Sequence, residues 1–570
     1  MKDKSHHKTL RLWPGVVAVI LLLVARFGIK AAVPGFDGFS KGMMGSMAFA
    51  AVFVVWWLFL SRAAWIERLA FFGLMIAGMA GTWFLKDESM GPLWLIGYAM
   101  PLLLTSFVVA AVAARKLADG PRRMIMTAVI LLFTLGWTAA RTTGIDGDHV
   151  AEFGLRFQGE SDAWSQANVG LTSSGQAEAG DSDDSGAGDI WPGFRGAARN
   201  GNVANVPIAT DWQKAPLDML WRGPVGAGWS SFAVRGDYFY TQEQQGDYEA
   251  VTCYHMETGE PVWQYRDEVR FFESNAGAGP RGTPTLSGSH IYALGATGIL
   301  NALEASSGNL VWSRNVAEEN QVALPDWGFS SSPLVIDGLV VVAIESKLAA
   351  YDAATGDPRW SDDGTGPSYS SPHLATVDGV PQILQLTGNG LSGVNPADGR
   401  QLWEHSWGGF PMIQPAMTED GDILVSVTGQ TGVRRLSVAR QNDEWKVEER
   451  WTSLKLKPYF NDFVVHGNHA YGFDGRILAC IDLRDGSRVW KGGRYGNGQL
   501  VLLPEQNLLL VLSEKGEVAL VNATPDGYTE RASWKAIEGK TWNHPVLAGD
   551  VLLVRNAEEM AGFRVAPADA

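Results

Sequence analysis

Eight short segments carry residue types able to do chemistry, and they recur at similar intervals: Trp229-Ser-Ser231, Arg281-Gly-Thr283, Phe329-Ser-Ser331, Tyr369-Ser-Ser371, Ile413-Gln414, Phe460-Asn-Asp462, Asn497-Gly-Gln499 and Trp542-Asn-His544. Between them stand Gln242, Glu243, Glu345, Asp474, Glu514, Asn556 and Glu558. Carboxylates and amides are what a hard cation or a general base requires. Aromatic rings mixed with a few polar groups are what lines a ligand pocket. Other chemistries find no footing. The two cysteines, Cys253 and Cys480, occupy equivalent repeat positions and read as inert core thiols, and neither a CxxCH nor an HExxH motif is present. A formal net charge of -15 argues against a nucleic-acid partner held through its phosphates.

The elements that must position these residues are marked by tryptophan. Trp221, Trp263, Trp312, Trp360, Trp403, Trp451, Trp490 and Trp534 follow one another at 39 to 49 residues. Units of that size cannot bury their own apolar faces and must stack on their neighbours. In five of them a glycine stands four residues before the tryptophan: Gly259, Gly308, Gly356, Gly399 and Gly486. Each unit reads as four strands. A first strand meets a turn such as Ser287-Gly288-Ser289, and a buried second strand such as Leu339–Ile344 follows. A third strand enters the glycine turn, and a fourth ends at the tryptophan. Four strands per repeat is the arithmetic of a propeller blade. Trp221 ends a strand with no unit before it, and the last stretch, 542–565, supplies three strands without a terminal tryptophan, so the two are expected to pair as the eighth blade.

This glycine-to-tryptophan repeat resembles the docking motif of the pyrroloquinoline quinone (PQQ) repeat propellers over about residues 191–570, and Trp191-Pro-Gly-Phe-Arg-Gly196 is similar to the opening of many of them. WD40 propellers are the competing family, but these tryptophans lack a following Asp. Two units depart from the pattern, before Trp451 and before Trp534. The resemblance implies an all-β, eight-bladed, quinoprotein alcohol dehydrogenase-like propeller. It leaves function open, because this fold serves both quinoprotein dehydrogenases and non-enzymatic scaffolds such as BamB. A dehydrogenase would bind PQQ and Ca2+. The resemblance then nominates Trp229 or Trp542 as the aromatic floor, Arg281 as the cation near the cofactor's acid groups, Glu243, Asn461 and Asp462 as metal ligands, and Asp474 as catalytic base. The alternative is that the Ser, Asn and Asp of these segments cap turns and join blades.

Residues 1–141 read as an α-helical transmembrane bundle. Apolar stretches at about 12–29, 43–60, 65–85, 92–114 and 124–140 are each close to bilayer length. One set of connections collects Lys2, Lys4, Lys8, Arg11, Arg62, Arg68, Arg115, Lys116, Arg122 and Arg123, which puts the N-terminus in the cytoplasm and residues after 141 on the periplasmic side. Mid-span Asp, Glu, Lys and His are lacking, which disfavours a pump or channel and leaves an anchor in membrane lipid. Residues 142–190 are Gly-, Ser-, Ala- and acid-rich and read as a flexible tether. Five spans before a propeller is an order similar to the membrane-bound quinoprotein glucose dehydrogenase, which implies electron transfer to membrane quinone. The short loops point the other way. The expectation is therefore a binding scaffold for a periplasmic protein or peptide in envelope assembly, with a PQQ-dependent sugar or alcohol dehydrogenase as the alternative.

Overall fold

The computed structural model describes residues 10–33, 36–147, 150–157, 190–364, 366–427 and 431–568. They divide into two compact units, one helical and one built of sheets. Most of the stretch expected to be the tether, 158–189, lies outside the described residues.

In the helical unit four helices are long and apolar enough to cross a membrane: α1 (Trp13–Ala32), α2 (Gly38–Leu60), α3 (Trp65–Leu85) and α4 (Pro92–Lys116). The fifth expected span falls in α5 (Asp119–Thr138), which opens with Asp119, Arg122 and Arg123 and is less apolar along its length. It packs alongside α3. Arg122 and Arg123 pair with Glu67 at one end, and Thr82 Oγ1 donates to Thr134 O (2.9 Å) further along. Residues Ala140–Ile145 and Ala151–Leu155, expected as the end of the bundle and the start of the tether, form an antiparallel hairpin.

The sheet unit is a β-rich, propeller-like array. Sheets 1 to 7 take strands from 233–267, 285–315, 334–361, 373–406, 416–453, 464–494 and 499–535 in chain order, each meandering antiparallel. Sheet 8 combines 546–564 with the early strand Asp218–Pro224, with Gly562 opposite Trp221. Second strands such as Leu339–Ile344 and Leu508–Leu512 are buried along almost their whole length, because both faces of each sheet are covered. Both cysteines lie in buried third strands, Tyr248–His255 and Ile477–Asp482, and burial pushes their thiols well above the ordinary value.

The glycine-to-tryptophan spacing has a direct physical cause. The indole of one sheet lies against the turn glycine of the next and donates to a carbonyl there: Trp221 to Met256 O (2.7 Å), Trp263 to Ala305 O (3.0 Å), Trp312 to Ala353 O (3.0 Å), Trp360 to Pro396 O (3.0 Å) and Trp451 to Leu483 O (2.8 Å); Trp490 donates to Thr524 O (2.8 Å) in a turn without that glycine. A Cβ on Gly308 would stand 2.4 Å from the Trp263 ring, and the glycine has φ +72°. Trp403 differs. The next sheet replaces the glycine turn with the long hairpin Val433–Gln441/Glu444–Ser453, so Trp403 donates to Gln382 of its own sheet instead (2.6 Å).

Candidate functional site

The segments that lead into the eight sheets are tied to one another. Ser231 N–H donates to Thr283 Oγ1 (3.0 Å), Thr283 N–H to Ser332 Oγ (2.9 Å), Ser332 N–H to Ser371 Oγ (2.9 Å) and Ser370 Oγ to Ile413 O (2.6 Å). Gln414 N–H then donates to Asp462 Oδ1 (2.7 Å), Asp462 N–H to Gln499 Oε1 (3.3 Å), Gln499 Nε2 to Trp542 O (3.2 Å) and Asn543 Nδ2 to Ser230 O (2.7 Å). Each bond joins one sheet's leading segment to the next, and the last returns to sheet 1. The polar residues recur at sheet spacing because each satisfies a backbone group that the neighbouring sheet leaves open.

Beneath this belt lies a segment whose role the sequence did not reveal. Residues 191–203 pack against the inner strands, and Arg195 and Arg199 reach away from them to different sheets. Arg195 Nη2 donates to Phe463 O before sheet 6 (2.8 Å), and Arg199 donates to Ser332 O (2.9 Å) and Pro333 O (2.8 Å) before sheet 3. Both arginines are buried and both adopt left-handed backbone, φ +60° and +53°. Burial lowers both guanidinium pKa values, that of Arg199 to about 10. Asp462 sits 3.5 Å from Arg195 and 3.1 Å from His544. Burial would raise its carboxyl, but Arg195, His544 and the Gln414 N–H together hold it below the usual range. His373, buried near both arginines, is depressed to about 3 by desolvation and by their charge.

The other nominated residues occupy defined places. Glu243 is fully buried, and its carboxylate accepts from Gly226 N–H (2.6 Å), Thr252 Oγ1 (2.5 Å) and Tyr254 OH (2.8 Å). Beside it Arg555, lowered to about 10 by burial, ties sheet 8 to sheet 1 through Thr241 Oγ1 (2.6 Å), Gln242 O (3.0 Å) and Gly226 O (2.9 Å). Asn461 accepts Tyr459 N–H (2.9 Å). Asp474 is enclosed by Lys457 (3.4 Å), Lys491 (2.7 Å) and Arg488. Arg281 lies over Phe271 at 4.5 Å and donates to Gly279 O. Trp229 and Trp542 do meet, at 4.8 Å between ring centroids, with Phe460 4.9 Å from Trp542 and Lys540 over both indoles.

A calcium ion takes six to eight oxygen ligands. Among the described residues no group of three or more His, Cys, Asp or Glu stands ready to hold a metal. Glu243, Asn461 and Asp462 spend their oxygens on the fold, and Asp474 spends its own on three cations. The donors present therefore do not fit a calcium–PQQ centre.

The leading segments also bring aromatic rings together, most of them half-buried. Trp229, Trp542 and Phe460 form one cluster. A second brings together Trp327, Tyr369 (4.9 Å away) and Phe410 (6.5 Å from Trp327) from three successive segments, with Phe410 60% exposed. Trp327, Phe410 and Lys540 were not singled out from the sequence, since they stand two or three residues outside the repeated triplets. Elsewhere, a groove of about 530 Å3 is lined by Asp420, Asp422, Arg435 and Arg450, already paired with one another.

The family model described as "Outer membrane protein assembly factor BamB" matches residues 209–326 and 249–492. The sheet unit is a BamB-like PQQ-repeat domain. Outer membrane protein assembly factor BamB of Yersinia pestis is 25% identical over 319 residues, 53% of this chain and 69% of the relative. The crystal structure of BamB from Moraxella catarrhalis aligns with 61% of this chain and 97% of its own, at TM-score 0.45 and 14% identity. A europium-containing methanol dehydrogenase aligns with 67% of this chain and 98% of its own, at TM-score 0.44 and 12% identity. In this BamB-like domain the bonds between leading segments hold sheets together.

Proposed function

We propose that this chain is a membrane-held, eight-bladed propeller that acts as a scaffold for a protein or peptide partner in envelope protein assembly. The observation that carries the reading is the contrast between the polar and the aromatic residues of the leading segments. The carboxylates Glu243, Asp462 and Asp474 are committed to bonds and ion pairs within and between sheets, while two clusters of Trp, Tyr and Phe stay half-buried or, at Phe410, exposed. Aromatic anchors of this kind dominate protein-binding surfaces. The BamB relatives support assembly as the setting. The bonds from leading segment to leading segment, together with the pairing of Gly562 with Trp221, support eight blades in a closed ring. Residues 1–141 serve as the anchor, 142–190 as the connection and 191–570 as the propeller.

Topology follows from α5. Four spans would leave both ends of the bundle on one side; a fifth carries the propeller across. The packing of α5 beside α3, with Glu67 meeting Arg122 and Arg123 at the same end, supports a fifth crossing in parallel with α3. With the basic connections inside, the propeller lies on the periplasmic side of the inner membrane. The test is site-specific photocrosslinking from Tyr369 and Phe410 in intact cells. A discrete protein adduct, lost in Trp327→Ala, is expected. Failure to form any adduct from either cluster, combined with a calcium-dependent rise in Tm on adding PQQ, would reverse the assignment toward the dehydrogenase.

A further inference from the structure

On a chain of net charge -15, one corner of sheet 6 has the opposite sign. Lys457, Arg488 and Lys491 converge on Asp474. Arg488 also donates to Lys455 O (2.9 Å), Arg476 O accepts Tyr495 N–H, and Arg494 pairs with Ile477 in the register of the same sheet. Three cations thus meet on a single carboxylate, three more basic residues stand next to them in the chain and the sheet, and Lys455, Lys491 and Arg494 are exposed. Next to them Leu454 is 58% exposed.

We propose that this corner docks on anionic phospholipid headgroups. Clustered Lys and Arg beside an exposed apolar side chain is the chemistry that holds a protein at a charged lipid surface. The same chain carries four helices long and apolar enough to cross a membrane, and linkage in one chain raises the effective concentration of lipid for any lipid-binding patch on it. The proposal is carried by the basic residues and Leu454 and does not rest on the partner reading.

The test uses full-length protein in nanodiscs. Both native cysteines are buried, so Leu454→Cys accepts an environment-sensitive thiol dye selectively. Discs of phosphatidylcholine with phosphatidylglycerol should shift the dye emission to the blue, reversibly with salt, and discs of phosphatidylcholine alone should not. Adding Lys455→Glu and Arg494→Glu removes two attractive cations and should lower the docked-to-free ratio by at least about 30-fold. As a measurement that needs no cysteine, acylation of Lys455 and Lys491 in the wild type should fall in anionic discs while that of Lys446 does not. Equal emission and equal acylation in both lipids, a shift that survives charge reversal, or a shift that appears only when an acidic protein is added would overturn the proposal.

Discussion

Replacing Gly308 with alanine tests whether the tryptophan repeat stabilises the fold through contact between sheets. The glycine has φ +72°, and a Cβ there would lie 2.4 Å from the Trp263 ring, whose indole N–H donates to Ala305 O. Holding alanine in left-handed backbone costs about 1–2 kcal/mol. Pushing the indole aside adds overpacking of about 1–3 kcal/mol and puts at risk a hydrogen bond contributing about 0.5–1.5 kcal/mol. The sum is about 2.5–6.5 kcal/mol. Gly288 of the same sheet is the control, since it has φ +56° but a Cβ there would meet nothing within 4 Å. Gly288→Ala should therefore lose only the backbone share, about 1–2 kcal/mol. Urea denaturation followed by far-UV circular dichroism, with the slope compared between variants, measures the difference. In a Trp263→Leu background the extra cost of Gly308→Ala should shrink toward that of the control, because the steric partner is gone. Equal losses at the two glycines would refute the argument and leave left-handed backbone as the only reason for glycine in the repeat.

Other consequences can be checked alongside. Arg555→Met leaves the Glu243 carboxylate buried without its cation and should cost about 3–5 kcal/mol, much of it recovered by adding Glu243→Gln; a double variant as unstable as the single in urea would count against the pair. His373 has a folded pKa of about 3, below the unfolded value, so its stabilisation is present at neutral pH and is lost as pH falls from about 6.5 toward 3, at up to about 1.4 kcal/mol per pH unit. Melts at stepped pH should show His373→Asn with a flatter acid limb than wild type. Asp462, with its folded pKa depressed, adds loss only at the acid end, as pH falls from the unfolded value through the folded one. Alkaline phosphatase fused after residue 190 should be active in cells and inactive when 119–138 are deleted; activity in both fusions would rule out a fifth crossing.

The sequence carried the fold further than the site because the two depend on different distances along the chain. The glycine-to-tryptophan spacing, the turns and the buried second strands are local, and local patterns repeat visibly. The partner of each repeat is local too, since nearly every repeat indole docks on the following sheet. The site departs from this logic. Trp229-Ser-Ser231 and Phe460-Asn-Asp462 look like one pattern of aromatic plus polar groups, yet the two classes have opposite fates. The polar members turn into bonds to adjacent sheets, and the rings pack on one another, half-buried. Types and spacing alone do not divide them. Arg195 was hidden for a further reason: its acceptor, Phe463 O, lies 268 residues away and is a backbone carbonyl, which no side-chain pattern announces. Its neighbour Asp462 was legible as a carboxylate but not as the counter-charge of that arginine. A buried carboxylate facing a buried guanidinium cannot also serve a calcium ion without leaving the guanidinium uncompensated. The assignment of Asp462 therefore turned on a residue in the connection that precedes the first repeat, and a repeat-by-repeat reading has no place for it.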